Sequence, residues 1–353
     1  MLDRIRAEIA LHGPMPFDRF MELALYDPEG GYFAAASTLR SSTGGDFLTS
    51  PEVSPLFGST LARFVEAEGD RIGRPLTLIE AGSGSGSLLR PLLDALPEPP
   101  DAVYAVEVSP AASSRIAVMV RECMVVESFA EIPRAGSAIV IANELLDNLP
   151  AAVAVRRGEG WREKMVVVAD GGLSLDERPA RAEAVSWSET YSGRVPEGAI
   201  VEVQMAAGAW LTDALALFAS GAVVVVDYGD TAAGLEHRRA QGTLRTYRSH
   251  HLGPDPLLTP GETDITMDVN FTALAAVAEA AGAVVTLDRQ DEFLARWGLR
   301  DALSDLRAGE LEAARAGNTM ERLRLRSRVT EAQTLLHPRG LGDFRVLVAE
   351  VVR

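Results

Sequence analysis

Short apolar runs alternate with amphipathic helical patterns along most of this chain. Strands are predicted at 77–81, 102–108, 124–128, 138–143, 222–228, 283–287 and 344–352. Helices are predicted among them at 55–67, 87–96, 111–122 and 271–281. The run at 222–228, AVVVVDY, is almost continuously apolar, which is typical of a parallel strand covered on both faces. The alternation predicts an α/β fold with a doubly wound, mostly parallel sheet.

Two regions interrupt this alternation. Residues 151–178 are predicted to form an inserted β-hairpin that turns near Gly158 and Gly160. Residues 229–266 are polar and contain many glycines and prolines. A loop of that length in a compact domain is usually functional or disordered, so we expect one of these two outcomes.

Two short helices precede the alternating part of the chain. The first is predicted to end at Gly13-Pro14, and the second to start near Pro16, with a loop-rich stretch after it. The charges spread through residues 1–13 are atypical of a secretory signal. Because no apolar run approaches the roughly 20 residues that span a membrane, we expect a cytoplasmic protein without membrane insertion.

Charge and cysteine content narrow the classes of partner. The chain has 50 acidic and 34 basic residues and a net charge of −16, so it would repel a nucleic-acid backbone, and a cationic or arginine-bearing partner fits better. Cys123 is the single cysteine, which excludes an internal disulfide and favours a reducing compartment. The five histidines lack the spacing of a metal site, so we predict none.

The strand at 77–81 ends in a glycine-rich loop. Gly82, Gly84 and Gly86 give the spacing G-x-G-x-G, whereas a dinucleotide site has G-x-G-x-x-G. Glu80 stands two residues before the first glycine, where its carboxylate would repel a pyrophosphate by about 1 kcal/mol or more. An NAD-dependent oxidoreductase is therefore the weaker alternative.

The same carboxylate suits a ligand with an ammonium and a sulfonium group. S-adenosylmethionine has both, and its own carboxylate can bind at the N-terminus of the following helix. Glu107 ends the next strand, 25 residues after Gly82, where a carboxylate can accept both ribose hydroxyls. We assign Val108 and Asn143 to the same cofactor site. The alternative is a tight turn between a strand and a helix, with solvated acids.

The loop that leaves the strand at 138–143 is the expected place for chemistry, because ligands in such sheets bind beyond the carboxyl ends of the strands. Glu144 and Asp147 could hold a guanidinium in bidentate fashion and orient one nitrogen for methyl transfer. A carboxylate could also take the proton that this nitrogen loses. Equally, Asn143 and Asp147 could cap a following helical turn.

Eight motifs together resemble the MidA family of class I methyltransferases. They are 45–54, 80–86, 106–110, 143–150, 227–229, 242–245, 259–264 and 337–342, in the family's order and across nearly the whole chain. The family includes a mitochondrial complex I assembly factor that dimethylates an arginine of a core subunit. The resemblance implies a Rossmann-like, S-adenosylmethionine-dependent methyltransferase that modifies a protein arginine. Its partner would be a respiratory-complex-like subunit or another arginine-bearing protein.

The chain departs from the family at three places. Leu145-Leu146 stands where the family usually has two aromatics, and 151–153 replaces a His-Arg-type stretch. The family's His-Val-Asp-Phe segment is Asp268-Val-Asn-Phe here. These departures leave open a second class of protein, an assembly factor that binds the cofactor and a client without turnover.

The resemblance gives the segment 45–54 the role of a lid. Asp46 and Glu52 would lie where the substrate enters, on a turn formed by Thr49, Ser50 and Pro51. We therefore expect three parts: N-terminal helices and lid (1–57), a methyltransferase core (58–150 and 199–353) and an inserted β-hairpin region (151–198).

Two residues of the resembling motifs have an alternative role. Ser54 before Pro55 could simply cap a helix. Asp227 follows an apolar strand and is as compatible with a structural turn as with catalysis.

Overall fold

The computed structural model describes residues 1–34, 49–248 and 251–351, and a seven-stranded sheet lies at their centre. Its strands are β1 (Leu76–Ala81), β2 (Ala102–Val106), β3 (Met124–Val126), β4 (Ala135–Asn143), β5 (Phe218–Asp227), β6 (Val284–Arg289) and β7 (Arg345–Val351). Their order is β3-β2-β1-β4-β5-β7-β6, and β7 alone among these seven runs antiparallel to its neighbours. The predicted doubly wound, mostly parallel α/β fold is confirmed.

Helices cover both faces of this sheet. One face packs against Pro55–Ile72, Leu89–Ala95, Pro110–Met119, Gln290–Arg296, Leu299–Arg315 and Thr319–Leu335, and the other against Met205–Ala216 and Phe271–Ala280. Successive side chains of a strand point to opposite faces, so Ile139 and Ile141 of β4 join the first core while Val140 and Ala142 join the second. This double burial explains why the core strands are almost continuously apolar.

A second sheet of five short strands adjoins the N-terminal helices. Its strands are Met15–Pro16, Ala152–Arg157, Gly160–Ala169, Gly172–Pro179 and Ile200–Val203. The hairpin predicted to turn at Gly158 is present, because Arg157 pairs with Gly160, but a further strand and the helix Ala182–Tyr191 extend it. The helices Leu2–His12 and Phe17–Tyr26 pack against this sheet through an apolar cluster. None of the described helices is long and apolar enough to cross a membrane.

Much of the segment 229–266 has an ordered structure in the described residues. It forms the short helices Ala232–Leu235 and Glu236–Arg238 and the strands Gly229–Asp230, Arg245–Arg248, His251–Leu252 and Asp264–Thr266. Gly229–Asp230 pairs with Val269–Asn270. The side chain of Asn148 fastens this segment to the loop after β4 by donating to the Asp264 carboxylate at 2.8 Å and to the Ile265 carbonyl at 3.0 Å. The described residues of this segment therefore have an ordered structure, and its functional role stays a prediction.

The strand order reverses between β1 and β4, and this reversal positions the site. A crevice opens at such a point because the connections from the two strands leave in opposite directions. The loops that follow β1 and β4 meet there: a Cβ built on Gly82 would lie 2.9 Å from Cδ1 of Leu145. Both motifs with predicted chemistry therefore share one edge of the sheet.

Candidate active site

The glycine loop has a backbone that only glycine adopts readily. The φ angles of Gly82, Gly84 and Gly86 are 70°, 51° and 76°, all in the left-handed region. The Gly82 amide donates to the Val106 carbonyl at 2.9 Å, which ties the loop to β2. The G-x-G-x-G spacing therefore follows from three alternate positive-φ positions in a tight turn.

Glu107 holds this loop in place. Its Oε2 accepts from the Gly84 amide at 2.7 Å, and its Oε1 accepts from the Ser109 amide at 2.8 Å. Burial raises the pKa of Glu107, although these backbone donors oppose the rise. Each carboxylate oxygen has a second lone pair, so Glu107 could accept ligand hydroxyls as well.

A cavity of about 530 Å³ lies between the glycine loop and the loop after β4. Six of the seven predicted cofactor residues line it, namely Glu80, Gly82, Gly84, Glu107, Val108 and Asn143. Gly86 does not line it and instead helps to close the turn behind it, where its amide donates to the Ser83 carbonyl at 2.8 Å. The arrangement places the predicted acids and glycines around one ligand-sized space.

Glu80 provides a test of whether this cavity suits S-adenosylmethionine. The side chain is buried, and its Oε2 has no hydrogen-bond partner among the described residues. Burial raises the pKa of Glu80 to about 8. A buried acceptor without a donor is costly, and the ammonium group of a bound ligand would satisfy it. Asn143 presents a second such acceptor, because its Oδ1 is also buried and without a partner there. The residues fit the cofactor.

Aromatic residues that the sequence pattern did not single out complete the wall. Tyr26 and Phe33 come from the N-terminal region, and Phe129 and Trp210 from the opposite side. The rings of Phe129 and Trp210 pack with centroids 5.6 Å apart. They come from distant parts of the chain, so only the fold brings them to the cavity.

A larger cavity of about 860 Å³ adjoins the first. The two share Phe33, Thr49, Glu144 and Asn148 as lining residues. The larger cavity is lined by Asp147, Tyr228, Arg238, Arg245, Asp264, Thr266 and Asp268, and on the helix Thr319–Leu335 by Thr330, Gln333 and Thr334. A group bound in one cavity would therefore face a group bound in the other across the shared wall.

Glu144 stands in this shared wall with a strained backbone. Its φ is 51°, a conformation uncommon outside glycine and often found at functional sites. The Glu144 amide donates to the Val226 carbonyl at 2.8 Å, and its Oε1 accepts from the Ser50 amide at 3.3 Å. Burial and the neighbouring charge of Asp147 raise the pKa of Glu144 to about 8.

Asp147 is a buried carboxylate that lines the larger cavity close to Glu144. Its Oδ2 accepts hydrogen bonds from the hydroxyls of Tyr228 and Thr266, while its Oδ1 is buried and has no partner among the described residues. Burial raises the pKa of Asp147, and the two hydroxyl donors oppose the rise. The alternative that Asn143 and Asp147 cap a helical turn is not supported. Asp147 lies inside the short helix Leu146–Asn148, and its side chain accepts from hydroxyls rather than from the amides of a helix start. The Asn143 side chain donates to the Glu144 carboxylate at 3.2 Å.

Asp227, rather than Asp147, caps the short helical turn after β4. Its Oδ2 accepts from the amides of Leu146 and Asp147 at 3.0 and 3.2 Å, and its Oδ1 accepts from the Tyr228 amide at 2.9 Å. The carboxylate is fully buried, and burial together with the charges of Asp147 and Glu144 raises its pKa well above the usual value. Of the two roles left open for Asp227, the structure favours the structural one.

An ion-pair cluster occupies one of the places where the chain departs from the family. Asp268 is buried and bonds to both Arg238 and Arg245. The Arg245 guanidinium also lies 5.3 Å from the centroid of the Tyr228 ring. Arg238 and Arg245 had no role predicted from the sequence, because the ion pairs join segments that only the fold brings together.

The described part of the lid contacts both cavities. Thr49 lines both, and Pro51 lines the smaller one. Besides the hydrogen bond that its backbone amide donates to Glu144, Ser50 forms a hydrogen bond through its hydroxyl with the Gln290 side chain at 3.1–3.3 Å. This short segment therefore reaches the shared wall, as its predicted place in the site requires.

Glu52 was predicted to lie where the substrate enters, but it lines neither of the two cavities. Its Oε2 accepts from the Thr49 amide at 3.2 Å, and its Oε1 accepts from the Ser85 hydroxyl at 3.4 Å. These two donors hold the carboxylate at the start of its own helix and beside the glycine loop. The predicted role of Asp46 falls outside the described residues. Ser54 caps the helix that follows it, accepting from the Leu56 amide at 3.2 Å.

In the described ranges 1–34, 49–248 and 251–351, no group of three or more His, Cys, Asp or Glu side chains is arranged to hold a metal ion.

Comparison with known proteins identifies the family. The sequence model of a family described as "Putative S-adenosyl-L-methionine-dependent methyltransferase" matches residues 56–288. A crystal structure of a protein from Burkholderia thailandensis, bound to S-adenosylhomocysteine, is 29% identical and superposes with a TM-score of 0.84 over 99% of this chain and 91% of that chain.

Two curated relatives extend the similarity. The mitochondrial protein arginine methyltransferase NDUFAF7 of Danio rerio is 28% identical over 90% of this chain and 81% of that protein. Its Mus musculus counterpart is 29% identical over 89% of this chain and 78% of that protein. With the family match covering more than half of the chain, the chain belongs to the MidA family of class I S-adenosylmethionine-dependent methyltransferases.

Proposed function

We propose that this methyltransferase transfers a methyl group from S-adenosylmethionine to an arginine side chain of a protein. The observation that carries the proposal is a pair of neighbouring carboxylates: Glu144 lies in the wall between the two cavities, and the buried Asp147 lines the larger cavity. A cation that leaves water needs such partners to offset its desolvation. The names of the curated relatives, which are protein arginine methyltransferases, support the same acceptor.

The smaller cavity would hold the cofactor. Glu80 would accept a hydrogen bond from its ammonium group, and Glu107 would accept from its ribose hydroxyls. The glycine loop would leave room for its methionine moiety. When bound, S-adenosylmethionine supplies a methyl group made electrophilic by the sulfonium. The NAD alternative finds no support, because the loop spacing and the family both indicate S-adenosylmethionine.

The residues of the larger cavity would hold and orient the acceptor. Oδ1 of Asp147, which has no partner within the described part of the chain, would accept from one guanidinium nitrogen, and Glu144 would accept from another. Tyr228 and Thr266 fix the opposite oxygen of Asp147, so the carboxylate cannot rotate freely.

The nitrogen that gains a methyl group must lose a proton. A carboxylate with a pKa raised to about 8, such as Glu144, is a better proton acceptor than an exposed one. The cavities are walled by Phe33 and other apolar side chains, which would exclude water from the transfer.

A labelling experiment tests the proposal. Lysate from a strain that lacks the protein is incubated with purified protein and S-adenosylmethionine labelled on the methyl group, and acid hydrolysates of the proteins are examined for methylarginine. The proposal requires labelled methylarginine in a protein band. Label in another amino acid or in a small molecule only would refute the arginine assignment.

The same experiment addresses the second candidate, a client-binding assembly factor without turnover. The departures at Leu145 and Asp268 favour this reading, because Asp268 lines the acceptor cavity and Leu145 lines the cofactor cavity. Cofactor binding with no transfer to any protein would support it. The proposed client is a respiratory-complex-like subunit or another arginine-bearing protein. The proposed location is cytoplasmic, and the single cysteine agrees with a reducing compartment.

A further inference from the structure

The helices Leu299–Arg315 and Thr319–Leu335 form a hairpin whose second helix lines the larger cavity. Thr330 and Thr334 are among the lining residues, and side chains three or four positions apart share one face of a helix. Arg326 and Leu323 precede Thr330 by four and seven residues, so they continue the same face towards the free end of the hairpin. The face that borders the acceptor site therefore extends outwards.

This outer face combines an apolar side chain with positive charge. Leu323 is 55% exposed, although leucine is usually buried. Arg322 and Arg326 reach Glu310 only at 4.0 and 3.6 Å, and their side chains remain 47% and 62% exposed. Exposed ion pairs of this kind contribute little to the stability of the fold, so both guanidiniums can bind another carboxylate.

The local charge is opposite to that of the chain as a whole. The stretch 315–328 contains five arginines and one acidic residue, whereas the net charge of the chain is −16. An acidic partner is attracted to the hairpin end and repelled by much of the remaining surface, so it would be steered to this place.

We propose that Leu323, Arg322 and Arg326 form a docking face for the protein substrate, and that this face binds a segment with an apolar side chain flanked by carboxylates. The inference rests on the proposed protein arginine methylation. Along the helix, Leu323 lies about 10 Å from Thr330 and about 16 Å from Thr334 at 1.5 Å per residue. An extended peptide covers that distance with about three to five residues, so the acidic anchor should lie about that far along the chain from the methylated arginine.

Two fluorescent peptides test the docking face. The anchored peptide has one arginine with Glu-Leu-Glu five residues away, made in both chain orders, and the plain peptide has Ser-Ser-Ser in that place. We expect anisotropy to show that the wild type binds one order of the anchored peptide at least tenfold more tightly than the plain one. Leu323→Ser and the double variant Arg322→Ser, Arg326→Ser should each abolish that advantage and leave the plain peptide unaffected. Leu11→Ser, a change at a leucine that is 76% exposed on the first helix, is the matched control.

The outcomes separate docking from catalysis. Equal affinity for the two peptides, or an advantage that survives both variants, would overturn the docking face. A dimer that sedimentation detects in the wild type and not in Leu323→Ser would assign the face to a second copy of the chain, which would also overturn the proposal. Binding of an RNA oligonucleotide, rather than of the anchored peptide, that the same variants weaken would overturn it as well. Tight anchored binding without methyl transfer to either peptide would refute the proposed function and leave the docking face standing.

Discussion

The carboxylate of Asp227, at the end of β5, accepts a hydrogen bond from the backbone amide of Asp147, in the loop after β4, at 3.2 Å. The two residues are 80 positions apart in the chain, and their strands are adjacent in the sheet. Through this contact a fully buried acid fixes the loop that presents both candidate catalytic carboxylates. Asp227 is a positioning residue, because its carboxylate accepts from backbone amides of the loop and of its own neighbour Tyr228.

Asp227→Asn should lower methyl transfer by about tenfold or more while cofactor affinity stays within about twofold, since the amide NH₂ cannot accept the bonds that one carboxylate oxygen now accepts. Steady-state kcat and KM for the acceptor, compared with wild type and with the exposed control Asp305→Asn, check the positioning role, which predicts a lower kcat per folded molecule. A lower melting temperature with kcat per folded molecule unchanged would indicate a purely structural acid.

The pH dependence of activity should follow Glu144. Its pKa is raised to about 8, so the free enzyme holds it protonated at lower pH, and only the carboxylate attracts a cationic acceptor. With cofactor saturating, kcat/KM should rise about tenfold per pH unit up to about pH 8 and then level off. In Glu144→Gln the activity should be low and that rise absent, whereas Glu279→Gln, at an exposed site, should keep it. A rise of the same slope in Glu144→Gln would assign the titration to another group.

Glu80→Gln should make the ligand-free protein more stable and remove cofactor binding. The folded pKa of Glu80, about 8, is raised above its usual 4.5, so the stability associated with the protonated form is present at low pH and is lost as pH rises towards 8. The glutamine variant escapes that loss, so its melting temperature should exceed that of the wild type by several degrees at pH 8 and by little at pH 5.

S-adenosylhomocysteine should raise the melting temperature of the wild type and leave that of Glu80→Gln nearly unchanged, because the uncharged glutamine cannot form an ion pair with the ligand's ammonium group. Wild-type stabilisation by the ligand that persists undiminished in Glu80→Gln would place the ammonium group elsewhere.

Gly82→Ala should weaken cofactor binding by about tenfold or more. The φ of 70° costs a side chain about 1–2 kcal/mol, and the added Cβ would meet Leu145 Cδ1 at 2.9 Å. Gly136→Ala is the matched control, because that glycine has ordinary backbone angles and nothing within 4 Å of an added Cβ. Calorimetric titration with S-adenosylhomocysteine checks both. Equal affinity of the two variants would mean that the turn does not form the ligand cradle.

The sequence predicted those parts of the protein that local pattern determines. The core strands are almost continuously apolar because helices cover both faces of the sheet, and the three alternate glycines occupy a turn with three positive φ angles. Both features can be predicted from the residues alone. The cofactor cavity followed from these two features together with the acids that end β1 and β2.

The acceptor side depends on contacts between distant segments and was only partly predicted. Nothing near Asp147 in the chain indicates that Tyr228 and Thr266 supply its hydrogen bonds, or that Asp227 caps its loop in its place. The helical hairpin 299–335 was not assigned, because the arginines at 322, 324, 326 and 328 alternate with other residues and obscure a helical period. Glu52 was placed wrongly because a local capping partner, Thr49, competes for its carboxylate.

The central claim is that Asp147 holds the arginine that receives the methyl group, and the most direct measurement is methylarginine formation by Asp147→Asn. Asparagine keeps the shape and can still accept from Tyr228 or Thr266, but it has no charge for a guanidinium. With labelled S-adenosylmethionine and lysate from a strain lacking the protein, we predict a loss of at least about a hundredfold in the rate of methylarginine formation. Cofactor affinity and melting temperature should remain close to those of the wild type. Undiminished methylarginine formation per folded molecule would contradict the account and place the acceptor elsewhere.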